Sequence, residues 1–220
     1  MSISETILAV RNALSVARMA TYEAAAAARG DEDLAALELY AWNAQVSAAF
    51  LAPLHICEVV VRNAVSEALE MVYGPRWPWS PGFEQSLPAP GIGYSPRRDL
   101  QYVRRFQTST GKVIPELKFV LWQKMFTSRY DRRVWNVHIR QVLPNQDPAR
   151  SVGKLRKAIY DDLEEIRTLR NRIAHHEPIF RRDLSNDLQG IVSLIELRCK
   201  ITAAWMMENQ QASNIIAKRP

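Results

Sequence analysis

Apolar residues along this chain recur at three- and four-residue intervals, and no stretch alternates over the length of a strand. The pattern predicts helices throughout. Residues 4–29 read as a first helix with Ser4 as N-cap and Ile7, Leu8, Leu14, Val16 and Met19 on its apolar side. Gly30 ends it and Asp31 caps the next, which runs from about 32 to 72 with a kink or break at Pro53. Six prolines and four glycines between 74 and 97 exclude a regular element there, leaving a loop that either overhangs a site or simply connects; Trp77, Trp79 and Phe83 are its tethers. A short basic helix spans 97–107 and a core helix 116–126, with Pro115 in its first turn. After a linker bounded by Pro144 and Pro148, a long amphipathic helix starts near Arg150 and stops before Pro178. A last helix from Asp183 or Ser185 carries an apolar stripe through Ile201 and Trp205, and the tail from Gln210 reads as polar and loose.

Composition narrows the class. With 220 residues, 47% hydrophobic and 24% charged, the chain suits one all-α domain, with residues of about 76–140 as an elaboration. The most apolar run, Val46 to Val61, is interrupted and short for a bilayer span, so the expectation is a cytoplasmic protein. Cys57 and Cys199 sit far apart in apolar surroundings and read as buried thiols, and no Cys/His spacing resembles a zinc site. A net charge of +6 favours a polyanionic partner. Arg129, Arg132, Arg133 and Arg140 around Trp135 and His138, joined by Arg181 and Arg182, suit single-stranded nucleic acid, or equally a solvated basic face over a tryptophan core.

The candidate chemistry lies at the end of the long amphipathic helix, in Leu169-Arg170-Asn171-Arg172-Ile173-Ala174-His175-His176-Glu177-Pro178. Asn171 and His175 are four residues apart and share a face, with Arg170 on its edge. An arginine fork holds a phosphate and an imidazole moves a proton, which is what metal-free RNA cleavage needs. A helix-capping arginine and surface histidines would leave the same pattern. Reading His175, His176 and Glu177 as metal ligands fits poorly, because adjacent helical residues point about 100° apart. Upstream, Glu58 stands four residues before Arg62, the favourable order for a helical ion pair, with Asn63 following.

Arg170-Asn171-x-x-x-His175 resembles the arginine–polar–three-residue–histidine motif of HEPN domains. The longer run through Phe180 resembles the Abi-like (abortive-infection) branch of that superfamily. So, in the same order, do Tyr40-x-Trp42-Asn43, Glu58 with Arg62-Asn63, Tyr73-Gly74-x-x-Trp77 and Leu117-x-x-x-Leu121-Trp122. The resemblance implies an all-α, HEPN-type antiparallel bundle carrying additional helices and the long Pro/Gly-rich loop. It implies a metal-independent endoribonuclease of the abortive-infection or toxin kind. Arg170 binds the phosphate, His175 is the general acid/base and Asn171 orients one of them. Glu58, Arg62, Asn63 and His176 lend support, and attack by the 2′-hydroxyl leaves a 2′,3′-cyclic phosphate. It implies no cofactor and no metal. The partners it implies are RNA, a second copy of the chain, and an antitoxin or other defence-system protein; no membrane enters. Ile179 and Phe180 are the expected apolar anchors of that dimer unless they pack inside their own bundle. The alternative is a non-catalytic HEPN module that binds RNA or dimerises without cutting. One position departs from the pattern of toxins silenced by nucleotidyltransferases, since Glu177 stands where those carry a tyrosine.

Overall fold

The computed structural model describes residues 3–30, 33–89 and 91–220; Asp31, the expected second cap, lies outside them. The chain is all-α, with no strand among the described residues. Its helices are α1 (Ile3–Leu14), α2 (Val16–Ala27), α3 (Asp33–Tyr73), α4 (Pro81–Ser86), α5 (Pro96–Arg104), α6 (Thr110–Glu116), α7 (Phe119–Met125), α8 (Asn136–Val142), α9 (Val152–Ala174), α10 (Leu184–Arg198), α11 (Lys200–Asn209) and α12 (Ala212–Ile216).

Helix α3 is the axis of the molecule. It runs unbroken for 41 residues through Pro53, so the expected kink or break does not divide it. Its buried positions, among them Trp42, Val46, Phe50, Leu54, Cys57, Val61, Val65 and Leu69, follow the three/four spacing. Against them pack α2, α7, α8, α9, α10 and α12. By length and composition alone, Leu34–Tyr73 would suffice to cross a membrane, with a mean hydropathy of 1.6 over its most apolar stretch. Only part of that stretch is buried. A solvent-facing stripe remains at Ala41, Ala44, Ala48, Leu51, His55 and Val59, and it carries no carboxylate, lysine or arginine.

Several expected elements are divided. The first helix breaks at Ser15, which takes a φ of +76° and caps α2 by accepting a hydrogen bond from Arg18 N. Ser4 therefore lies inside α1 and is no cap. The proline-rich segment is not wholly irregular. Trp77–Trp79 form a 3₁₀ turn, and Ser80 caps the six-residue α4, with Pro81 at its first position. Pro115 falls inside α6, and the core helix after it starts only at Phe119. The C-terminal helix breaks at Cys199, leaving Ile201 and Trp205 exposed instead of in the core. The tail is anchored through α12, where Trp42 Nε1 donates to Ile215 O at 2.7 Å.

The elaboration between α3 and α8 is held by its tryptophans. Trp77, fully buried, donates to Ser66 Oγ of α3 and meets Phe83 and Trp122 edge-on. Trp135 is stacked flat on Phe126 and donates to Met125 O. Of the two thiols, Cys57 is buried and pushed up to about 12 by that burial. Cys199 is only partly buried, contrary to expectation. Hydrogen bonds from Thr202 at the start of α11 lower its pKa.

Candidate functional site

Helix α9 buries Leu155, Ile159, Leu163, Ile166, Leu169 and Ile173, and this stripe fixes which residues face outward. Arg167, Arg170 and Asn171 fall on the far side and open into a cavity of about 390 Å³. Arg62 of α3 forms one wall, and Lys118 and its neighbours in the α6–α7 connection form another. Glu58 joins the two helices. One of its oxygens takes a short hydrogen bond from Arg62 Nη2, and the other lies 3.9 Å from Arg170 Nε. Glu58 and Arg62 are largely buried, whereas the Arg170 side chain is about half exposed. Arg167 is steadied by Glu164, which also accepts from the buried Gln123; those two hydrogen bonds hold the Glu164 carboxyl below its ordinary range.

The lining of the cavity carries a net positive charge, although Glu58 and Glu164 already compensate Arg62 and Arg167. Three guanidinium groups and one ammonium line it, and Glu116 is the one carboxylate on its lining. An anion with several acceptor oxygens suits such a place. Sequence reasoning located Arg170, Asn171, Glu58 and Arg62 but missed two members. Arg167 lies one turn before Arg170 on the same face, so helical spacing could have found it. Lys118 comes from a distant segment and left no signal. Asn63, though next to Arg62, is exposed and does not line the cavity.

His175 is the C-cap of α9, its backbone N donating to Asn171 O at 2.9 Å. Its imidazole is exposed and, among the described residues, has no hydrogen-bond partner. The chain then reverses by a Schellman closure, in which His176 N bonds Ile173 O and Glu177 N bonds Arg172 O. His176 occupies the left-handed position of that closure, at a φ of +55°, which explains a second histidine better than chemistry does. Its carbonyl accepts from Arg18 Nη1 at 2.6 Å, and its side chain lines a separate cavity with Tyr22, Tyr40, Asn43, Leu51 and Ile173.

The chain beyond the motif is clamped from α3. Asn43 Oδ1, buried, accepts from both Ile179 N (2.8 Å) and Phe180 N (3.1 Å). Phe180 packs against Tyr22, which meets Tyr40 edge-on; burial pushes the Tyr22 phenol up to about 12. Ile179 and Phe180 are thus core residues of their own bundle and cannot anchor a dimer. Asn43, in turn, is the positioning residue for everything beyond the histidines.

The expected RNA-binding arginines divide. Arg132, Arg133 and Arg181 are exposed. Arg129 donates to Ser86 O, and Arg140 to the carbonyls of Pro148 and Arg150. Arg182 is committed to Asp187 and Glu165 and leaves the basic patch. The buried Trp135 offers no face to a base. Among the described residues, no group of three or more His, Cys, Asp or Glu side chains stands where a metal ion would be held. No protein-family model, no curated protein and no solved structure matches the chain.

Proposed function

We propose that the protein is a metal-independent endoribonuclease with a HEPN-type bundle of the Abi-like kind. The observation that carries the reading is the cationic cavity on α9, formed by Arg170, Arg62, Arg167 and Asn171, with His175 exposed at the end of the same helix. Arg170 binds the scissile phosphate and Asn171 orients it. His175 takes the proton of the attacking 2′-hydroxyl or returns one to the leaving oxygen. Glu58 and Arg62 aim Arg170. The elements that resemble the Abi-like pattern support the reading at separate points along α3. Asn43 holds the chain after the motif, Glu58 and Arg62 adjoin Arg170, and Trp77 and Trp122 pack together in the layer that carries Lys118. Such a protein works in the cytoplasm, where its RNA is.

Cleavage of RNA in the presence of EDTA tests the chemistry. The products should end in a 2′,3′-cyclic phosphate and a 5′-hydroxyl. Arg170→Ala or His175→Ala should lower the rate about 10²–10⁴-fold. A requirement for Mg²⁺, or full activity in His175→Ala, defeats the mechanism. Folded protein that binds RNA without cutting it would favour the non-catalytic module.

A single Arg170/His175 pair supplies one proton carrier, whereas in-line displacement uses an acid and a base, so the working unit is a homodimer. Its face is the uncharged stripe of α3 centred on Leu51, 55% exposed, whose Ala44, Ala48 and Leu51 share a cavity with Ile173, Ala174 and His176 at the end of the motif. Leu51→Glu should give a folded monomer by light scattering that has lost cutting. A wild type that is monomeric and fully active removes the dimer.

A further inference from the structure

Helix α5 carries three arginines and Arg105 follows as its C-cap, and the structure divides the four into two pairs. Arg97 is spent on the carbonyls of Gln85 and Leu87, and Arg104 on Glu84 and on Pro78 O. These two fasten α5 to the layer beneath it. Arg98 and Arg105 stand about 100° round the helix from them. Both are exposed, and among the described residues neither guanidinium has a hydrogen-bond or ion-pair partner.

Between and beside this free pair stand two rings that globular packing does not explain. Tyr102 is 65% exposed and Phe106 68%, their centroids 5.3 Å apart and their planes inclined at 66°. Positions 98, 102, 105 and 106 follow the i, i+4, i+7, i+8 spacing of one helical face. Phe106 lies just past the helix, but its N–H still donates to Val103 O, so the face continues through it. The result is a stripe of about 12 Å, four residues at helical rise either side of its middle, in which two uncompensated cations alternate with two bare rings.

Helix α5 is tied by one hydrogen bond to a wall of the cavity that holds Arg170. Asp99, one residue after Arg98, accepts from Lys118 N at 3.2 Å, and Lys118 lines the cavity that holds Arg170.

The geometry points to this face as a stacking platform for unpaired bases of a single-stranded nucleic acid. Its cations meet the phosphates, while Tyr102 and Phe106 receive two neighbouring bases. Two rings inclined to each other suit splayed bases, and a duplex keeps its base faces hidden in its own stack. Identifying the strand as RNA rests on the endoribonuclease reading. The consequence for substrate class is that the enzyme takes RNA with unpaired nucleotides next to the cut, not an uninterrupted duplex.

Fluorescence anisotropy with a labelled oligouridylate, beside an RNA duplex of equal length, tests it in the full chain. Tyr102→Ala and Phe106→Ala should each weaken single-strand binding about tenfold, and Tyr102→Phe should restore it. Arg98→Ala with Arg105→Ala should flatten the salt dependence. An oligonucleotide without bases should bind wild type and both ring variants alike. Failure of wild type to bind the oligouridylate, or unchanged affinity in the ring variants, overturns the platform. So does a change confined to oligomeric state, which would make this a protein interface. Oligouridylate bound through the rings but left uncut would sink the nuclease reading alone. RNA cut at full rate and bound at full affinity by both ring variants would sink the platform alone.

Discussion

Arg170 and His175 lie five residues apart on one helix, and the protein holds them in opposite ways. The arginine's side chain is supported while its surroundings stay open, with Glu58 between it and Arg62 and a wall contributed by the α6–α7 connection. The histidine's backbone is fixed, by the cap, the closure through His176 and the clamp of Asn43 beyond, while its imidazole is left unattended. In the proposed endoribonuclease reading, the phosphate grip has a carboxylate to aim it and the proton carrier has no partner. Such a carrier acquires its orientation from substrate or from a second copy of the chain. A charged grip that is already aimed reduces the cost of reorganisation during reaction, and a free imidazole can turn toward whichever oxygen the substrate presents.

The largest break in this arrangement should come from Asn43→Ala. Two buried backbone N–H groups would lose their acceptor, at a cost of roughly 2–4 kcal/mol. Denaturant unfolding should report that loss, and cleavage should fall with it, because residues 179 and 180 no longer seat the end of the motif. A stability change below about 0.5 kcal/mol would mean that the clamp does not hold the histidine end. Glu58→Gln addresses the other end and should do less. It keeps the shape but removes the charge shared by the two arginines, costing about 1 kcal/mol of stability and slowing cleavage severalfold. Its effect should appear in substrate affinity more than in turnover, since Arg170 would still be present but less well aimed. The smallest change is His176→Gly. Glycine accepts the left-handed conformation without strain, so stability should rise by up to about 1 kcal/mol, with cleavage retained. A large loss of cutting there would give His176 a chemical role that its backbone position does not require.

The motif helix was the most legible part of the sequence. Its apolar spacing predicts a start near Arg150 and an end before Pro178, and α9 spans Val152–Ala174. Long periodic helices with clear stops report themselves. The divisions of other helices did not, because their causes are not local signatures. Ser15 turns the chain with a positive φ that neither glycine nor proline announces, and Cys199 acts as a cap although thiols seldom do. Trp135, Ile179 and Phe180 each look like surface-active residues in a basic or polar context. Their burial depends on Phe126, Asn43 and Tyr22, partners contributed by other elements of the fold. The candidate site was half legible for the same reason. Its α9 members share one helix face, and Glu58 with Arg62 forms a recognisable pair, but Lys118 arrives through tertiary packing alone. The alternation of bound and free arginines on α5 is likewise a property of neighbours, and the sequence shows only four basic letters.

The unbroken course of α3 turns that helix into a ruler. Asn43, which seats the chain after the histidines, and Glu58, which meets Arg170, are graduations on one continuous helix, about 22 Å apart along its axis. A single residue inserted between them would rotate one mark by about 100° against the other, so Glu58 could not meet α9 while Asn43 held the chain beyond it. An insertion of equal length between α4 and α5, where the described residues follow no repeating geometry, would meet no such phase requirement. Indel tolerance should therefore be lowest along a segment, richest in alanine, that supplies no group to the proposed chemistry.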